Sequence, residues 1–394
     1  MSDRGPEGIT PRTMNTGQGR EATLSMSANG SPRILVLWAE ESSPNLGVAV
    51  LARGSRDLLL RAFPDADFTF ANYGARPPQV PWGRPRSLLR ERVLPRYGMQ
   101  GYFRSFDLVW DTRSGDSFTD IYGLGRHLTM STVHEMARQA GARMVMAPQT
   151  IGPFATRRGR LLASRTLKRS ELVVARDPES AQAAAGLGRA PDLTTADLVF
   201  AIDQPSPAPR RDVLLNVSGL LWHENPHVSA EGYRRVVRET LDLLRAEGRE
   251  VSLLAHVLDT PNPDNDVPAI RALADEVEGD VEVIVPEDLD SVRATIAGAN
   301  ALIGSRMHAC LNALSVGVPA VPLAYSRKFA PLLHSVGWTT GFDLRTDDLE
   351  TLPQKVVVAT EALDPAEAEA AAAKGRASLD AVLDLLRSSP RVTS

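Results

Sequence analysis

The chain has 394 residues, 43% hydrophobic and 23% charged, with a formal net charge of −4. That length suggests two domains and can bury real cores, and the mild acidity argues against a nucleic-acid partner, which normally meets a strongly basic domain. A single cysteine, Cys310, excludes intrachain disulfides and cysteine-rich metal sites.

Residues 1–30 are polar, rich in Gly, Ser and Thr, and lack an apolar h-region, which predicts a disordered tail rather than a secretory signal. No apolar run approaches the ~18 residues of a membrane span, so the chain is expected to be cytoplasmic. From residue 31 short apolar runs alternate with helix-like segments. Strands are predicted at 33–38, 67–71, 106–110, 143–147, 171–175 and 196–200, with helices at 48–62, 126–140 and 178–185. The first strand is a continuous apolar run, as burial on both faces requires. The polar, Pro-rich stretch 203–211 reads as an interdomain linker. The pattern then restarts, with strands at 213–217, 251–255, 281–285, 300–303 and 319–323 and helices at 229–247, 265–277, 288–297, 306–316 and 327–335. An Ala/Glu-rich helix follows at 365–387, and no repeat of 20–50 residues is present.

This alternation predicts an α/β fold of two Rossmann-like domains, their parallel sheets facing across a cleft in a GT-B-like arrangement. The domains are expected at 31–203 and 212–350, joined by a linker at 204–211 and followed by a helical segment over 351–394. Ligands of such sheets sit beyond the carboxyl ends of the strands, so the residues after each strand carry the chemistry.

Gly304-Ser305-Arg306-Met307-His308 opens a helix after a strand ending at Ile303. Gly304 permits a sharp turn and Ser305 can cap the helix. Met307, Cys310, Leu311 and Leu314 recur at i, i+3, i+4, i+7 and form the buried stripe. His308 lies off it, on a face shared with Asn312 and Ser315. A cation at a helix N-terminus is unfavourable unless an anion is held there, and the free N–H groups and helix dipole attract one. Arg306 and His308 therefore point to a bound phosphate or carboxylate. Arg176 ends another strand, ahead of Asp177-Pro178, a cap and first-turn proline. Paired with Arg306 from the other domain it could grip an anion bidentately. Lys328, one of only four lysines among 44 basic residues, is either a solvated side chain or a further cation at a helix start. Asp116 lies in the turn-rich loop 111–123, and 146–153 is another post-strand turn. Trp222-His223-Glu224 could stack on a sugar face, and His256 precedes Asp264 and Asp266. No HExxH, Walker A, GxSxG or CxxC pattern occurs.

These segments together resemble the polysaccharide pyruvyltransferase family. The resemblance rests most on Gly304-Ser305-Arg306-Met307-His308, Gly317-Val318-Pro319 and Tyr325 to Lys328. Arg176-Asp177 with Ser180 is similar to its Arg-Asp motif, and Gln149-Thr150-Ile151-Gly152-Pro153 to a Gln-Gly-Ile-Gly-Pro turn, with Thr150 replacing Gly. Ser114-Gly115-Asp116-Ser117-Phe118 resembles its Gly-rich loop. Asn45-Leu46-Gly47-Val48 resembles its Asn-x-Gly-Asp start, with Val48 replacing Asp. The resemblance implies transfer of pyruvate from phosphoenolpyruvate to two hydroxyls of a sugar, in a glycan or lipid-linked saccharide of the cell envelope. The product is a cyclic ketal, and phosphate is released. It implies His308 as general acid or base, and Arg176 and Arg306, with Ser305, Gly304 and Lys328, as donor-binding residues. Trp222, His223, Asp116 and Asn45 are candidate acceptor contacts. Phosphoenolpyruvate is a co-substrate, and no cofactor or metal is required. Homo-oligomerisation is left open. Two other readings stand beside this one: a GT-B-type glycosyltransferase using a sugar nucleotide, and a non-catalytic glycan- or anion-binding relative.

Overall fold

A computed structural model describes residues 31–77, 80–206, 208–258 and 264–388. The tail predicted at 1–30 lies outside the described residues.

The first half contains β1 (Arg33–Leu37), α1 (Leu46–Ala62), β2 (Asp67–Ala71), the short hairpin β3 (Ala75–Arg76) and β4 (Val80–Pro81), α2 (Pro85–Val93), α3 (Met99–Arg104), β5 (Leu108–Asp111), α4 (Leu124–Gln139), β6 (Arg143–Gln149), α5 (Arg157–Arg169), β7 (Leu172–Ala175), α6 (Pro178–Gly186) and β8 (Leu193–Thr194). The second half contains β9 (Arg211–Asn216), α7 (Gly219–Trp222), α8 (Ala230–Ala246), β10 (Val251–Leu254), α9 (Val267–Glu276), β11 (Glu282–Ile284), α10 (Leu289–Ala297), β12 (Ala299–Gly304), α11 (Met307–Ser315), β13 (Ala320–Ala324), α12 (Phe329–Ser335), β14 (Phe342–Asp343), α13 (Leu352–Glu361) and α14 (Pro365–Ser388).

Each half builds one six-stranded sheet, ordered β2-β1-β5-β6-β7-β8 and β11-β10-β9-β12-β13-β14. All ladders within the two sheets are parallel. Strand order reverses between β1 and β5 in one sheet and between β9 and β12 in the other. The chain diverges to opposite faces at such points and leaves a crevice where ligands bind. Both crevices open toward the same cleft. The predicted architecture, two parallel-sheet α/β domains in a GT-B-like arrangement, is the one observed.

The strand predicted at 196–200 is absent. Leu193–Thr194 forms the edge strand, and Leu198–Ala201 is a 3-10 turn. Asp197 turns the chain by accepting a hydrogen bond from the Val199 N–H at 3.0 Å. The apolar run is buried under α1 and α14 instead of joining a ladder. The Pro-rich linker is pinned to the second half. Gln204 Nε2 donates to Ser315 O at 2.8 Å, and Ala208 N donates to Ala294 O at 2.9 Å.

The Ala/Glu-rich helix α14 crosses back to the first half. Its Ser378 hydroxyl accepts from Ala196 N at 3.0 Å, and Arg61 pairs with Asp380. Gly375 lies flat on the Phe200 ring, which a Cβ would approach to 2.4 Å. One continuous apolar cluster therefore joins Ile34 and Val50, Leu311 and Leu314, and Leu379 and Leu383 of α14. The two halves meet again where residues 44–46 pair with 256–258. An Asn45–Val257 bridge is flanked by Leu258 N donating to Pro44 O at 2.8 Å.

Leu379 is fully buried in the shared cluster. Leu379→Ala is expected to cost about 2–5 kcal/mol through lost contacts and a residual cavity. The check is a lowered urea midpoint; an unchanged midpoint would show that α14 does not hold the halves together.

Candidate active site

The start of α11 lies at the second crevice. Asn216, ending β9, accepts from Arg306 N at 2.9 Å through Oδ1 and donates to Leu254 O at 2.9 Å. Three strand ends are thus tied together. Ser305 does not cap the helix. Arg306 is the N-cap residue and has no side-chain cap bond. The Ser305 hydroxyl is buried and accepts from Tyr233 Oη at 2.8 Å, because the chain has not yet turned toward the cleft there. Gly304 is also inside: a Cβ would sit 2.8 Å from Cys310 Sγ, so its role is close packing. Neither Gly304 nor Ser305 lines the cleft, which corrects their assignment as donor-binding residues.

The cleft between the sheets has a volume of about 450 Å³. Arg176, Arg306, His308 and Lys328 all line it, as do Asn45 and Asp116. Trp222 and His223 do not. Trp222 packs into the second half's core among Leu221, Tyr233 and Val236, and His223 lies exposed on the surface. The short helix α7 turns both away, so their assignment as acceptor contacts is corrected. Leu220 and His227 face the cleft from that segment instead. His227 packs against Tyr325 with ring centroids 5.3 Å apart.

Arg306 already holds anions, and they are the protein's own. Its Nε and Nη2 donate to Asp266 Oδ1 at 3.0 and 2.6 Å, and Nη1 donates to Asp264 Oδ1 at 2.7 Å. Burial opposes the guanidinium charge, but Asp266 and Asp264 raise its pKa and keep it protonated. The cation at this helix start is therefore neutralised internally, and a bound anion is not needed to explain it. Arg176 is similarly engaged: Nη1 donates to Asp197 Oδ2 at 2.6 Å and Nε to Thr150 Oγ1 at 2.9 Å. Its Nη2 makes no hydrogen bond among the described residues. The paired clamp expected of Arg176 and Arg306 thus carries one or more carboxylates on each member.

His308 stands between the halves. Among the described residues its Nε2 has no hydrogen-bond partner, and it lies 3.7 Å from Asp197 Oδ2, close enough for charge attraction only. Its Nδ1 packs on Gly47, where a Cβ would approach to 2.7 Å. Burial would raise the Asp197 carboxyl, but His308 and Arg176 outweigh it and hold it below the usual carboxylate range.

Two arginines that the sequence reading passed over are less committed. The Arg126 guanidinium lies over the Tyr73 ring at 4.7 Å and donates to Ser117 Oγ at 2.9 Å, while its buried Nε has no hydrogen-bond partner among the described residues. Arg327 donates to Gly152 O at 3.0 Å. Neither has a carboxylate partner among the described residues, and both line the cleft. The signal for Arg126 was present: it sits in the first turn of α4, which has no acidic residue there. Unlike Arg306, this cation at a helix start has no carboxylate among the described residues to neutralise it.

Lys328 pairs with Asp116 across the cleft, and Tyr122 Oη donates to the same carboxylate at 2.9 Å. Burial raises the Asp116 carboxyl, but Lys328 overrides it and brings it down to about 2. Asp116, expected at the acceptor, is therefore a latch between the halves. Its loop is strained, with Arg113 at φ 49°, Ser114 at 51° and Gly115 at 79°. Left-handed backbone at non-glycine residues costs on the order of 1–3 kcal/mol each and clusters at functional sites. Gly115 is needed there because a side chain would press on Leu51 and Arg176 Nη1, each 3.2 Å from a Cβ.

His256 has a determinable protonation state. Arg293, which can only donate, gives a hydrogen bond to Asn312 Oδ1 at 2.9 Å. The Asn312 amide nitrogen must then face His256 Nε2, 3.0 Å away, so that atom is an acceptor. Burial, with His308 and Arg306 nearby, pushes the His256 pKa down to about 3. Among the described residues no group of three or more His, Cys, Asp or Glu could hold a metal ion.

A model of the polysaccharide pyruvyl transferase family matches residues 45–327, and the chain belongs to that family. No curated protein sequence matches it. The fold is similar to that of a putative UDP-N-acetylglucosamine 2-epimerase from Listeria monocytogenes, with TM-score 0.56 and 13% identity over 92% of this chain and 98% of the other. It is also similar to UDP-GlcNAc 2-epimerase from Methanocaldococcus jannaschii (TM-score 0.52, 12% identity, 90% and 99% covered). A third similar structure is the spinosyn rhamnosyltransferase SpnG (TM-score 0.51, 13% identity, 91% and 99% covered).

A buried histidine whose folded pKa is depressed is bound neutral. The unfolded chain takes up its proton first, so stability falls as pH drops below the unfolded value near 6.5 and continues to fall toward the folded value. For His256 the window runs from about 6.5 to about 3. Its share of the slope is at most about 1.4 kcal/mol per pH unit. His256→Gln is expected to flatten urea-measured stability against pH in that window; an unchanged slope would show that His256 is not buried neutral.

Proposed function

We propose that the protein transfers pyruvate from phosphoenolpyruvate to two hydroxyls of a saccharide, forming a cyclic ketal and releasing phosphate. The observation that carries this reading is a cationic cleft lined by a histidine whose Nε2 has no hydrogen-bond partner among the described residues. Five Arg or Lys side chains line it against two aspartates, and Arg126 and Arg327 have no carboxylate partner among the described residues. A donor with both a phosphate and a carboxylate fits two separated cationic anchors.

In this reading His308 protonates C3 of the enol, which makes C2 electrophilic. Asp197 provides a counter-charge when the imidazole carries that proton. One sugar hydroxyl bonds to C2 and gives up its proton to the then-neutral His308. The C2–O bond to phosphate breaks, and the recovered proton leaves with the phosphate. The second hydroxyl closes the ring at C2 and its proton restores His308. Two hydroxyl protons are thus exchanged for one on the new methyl group and one on phosphate. Arg126 and Arg327 are assigned as the anchors of the donor's anions, with Arg176 Nη2 as a further donor. Arg306 and Lys328 shape the cleft through their own aspartates. Val48 lines the cleft beside Asn45.

Thermal shift with phosphoenolpyruvate against a panel of sugar nucleotides tests the donor. A ligand at 100 times its Kd stabilises by about 2.7 kcal/mol. The shift is expected with phosphoenolpyruvate and is lost in Arg126→Met/Arg327→Met. Stabilisation by sugar nucleotides alone would replace this reading with glycosyl transfer, and stabilisation by neither would favour a binding protein. His308→Ala is expected to abolish phosphate release while leaving the melting temperature near that of the parent. Normal turnover in that variant would remove His308 from the mechanism.

A further inference from the structure

Residues 84–104 form a surface that sets cations beside exposed apolar side chains. Six arginines fall in these twenty-one residues: Arg84, Arg86, Arg90, Arg92, Arg96 and Arg104. Along the whole chain about one residue in ten is arginine. All six are exposed, and none has an acidic partner among the described residues. The one acid in the stretch, Glu91, is buried and faces inward.

Large apolar side chains stand among these cations. Leu89, Val93, Leu94 and Tyr97 are 41–77% exposed, and they are four of the nine large hydrophobics so exposed among the described residues. The arrangement is built rather than frayed. Glu91 accepts hydrogen bonds from the N–H groups of Arg96, Tyr97 and Met99 at 3.0–3.2 Å, which fixes the loop after α2. Leu88, Met99 and Phe103 anchor α2 and α3 to Met130, Val133 and Met136 of α4. A carboxylate is thus buried, and a loop shaped, so that apolar tips and cations project outward together.

We propose that this face docks on an anionic lipid bilayer. In a chain of net charge −4 this stretch carries a local excess of five positive charges, and its exposed apolar side chains stand among them. Cations near a negatively charged leaflet each contribute roughly 1 kcal/mol, and apolar tips enter the boundary between headgroups and acyl chains. A nucleic acid would use the arginines but leave Leu89, Val93 and Leu94 in water. No helix among the described residues is long and apolar enough to cross a membrane, so the contact would be peripheral. The helix that carries this platform, α4, also carries Arg126 into the cleft. The proposal does not depend on the identity of the donor.

The test is co-sedimentation of the full chain with vesicles of phosphatidylglycerol and phosphatidylcholine, and with phosphatidylcholine alone. Binding is expected only to the anionic vesicles and is expected to weaken with salt. Arg90→Glu/Arg92→Glu/Arg96→Glu should lower the partition coefficient by about a hundredfold or more. Val93→Ser/Leu94→Ser should lower it at least several-fold, and both variants should keep the parent melting temperature. Equal binding to both vesicle types, or unchanged binding of the triple variant, overturns the proposal. Binding to duplex DNA that out-competes vesicles and ignores the Val93→Ser/Leu94→Ser change overturns it in favour of a nucleic-acid surface.

Discussion

One buried carboxylate organises half of the cleft. Asp266 accepts from Arg306 through two nitrogens and from the backbone N–H groups of Gly219, His256 and Val257. These donors come from the ends of β9, β10 and β12, so a single side chain holds three post-strand loops in register. A buried charge with this many partners is tolerated, whereas removing one member of such a pair leaves an uncompensated charge at a cost of about 3–5 kcal/mol. The start of α11, and with it His308, stands where this cluster places it.

The first half reaches the same histidine by independent routes. Asp197, held by the 3-10 turn, faces His308 Nε2, while Gly47 at the start of α1 packs on Nδ1. The Lys328–Asp116 pair and the Arg327–Gly152 bond cross the cleft, and α14 fuses the two cores behind it. A large apolar interface of this kind restrains relative domain motion. The cleft is therefore an assembled site whose cations divide into two groups. Arg306, Arg176 and Lys328 are balanced by aspartates and give shape. Arg126 and Arg327 have no carboxylate partner among the described residues.

Much of the fold was readable because a parallel sheet buried on both faces demands continuous apolar runs between amphipathic helices. Strands such as β1, β5 and β12 were visible for that reason. The run Leu198–Ala201 was misread because its burial comes from α1 and α14, distant elements that local patterning does not report. The short helices α3 and α7 and the hairpin β3–β4 carried too few residues for a periodic signal.

At the site, the chain's residues alone pointed to post-strand segments that line the cleft and to the family they match. The strand-then-turn pattern puts those segments at the sheet edge whatever the packing. They also determined that His308 stands apart from the core stripe of Met307, Cys310, Leu311 and Leu314. Only the tertiary structure decided which cations are free. Asp197 lies 21 residues from Arg176 and Asp266 lies 40 residues from Arg306. Charge pairing depends on distance through space, and at those separations in the chain only the fold sets that distance.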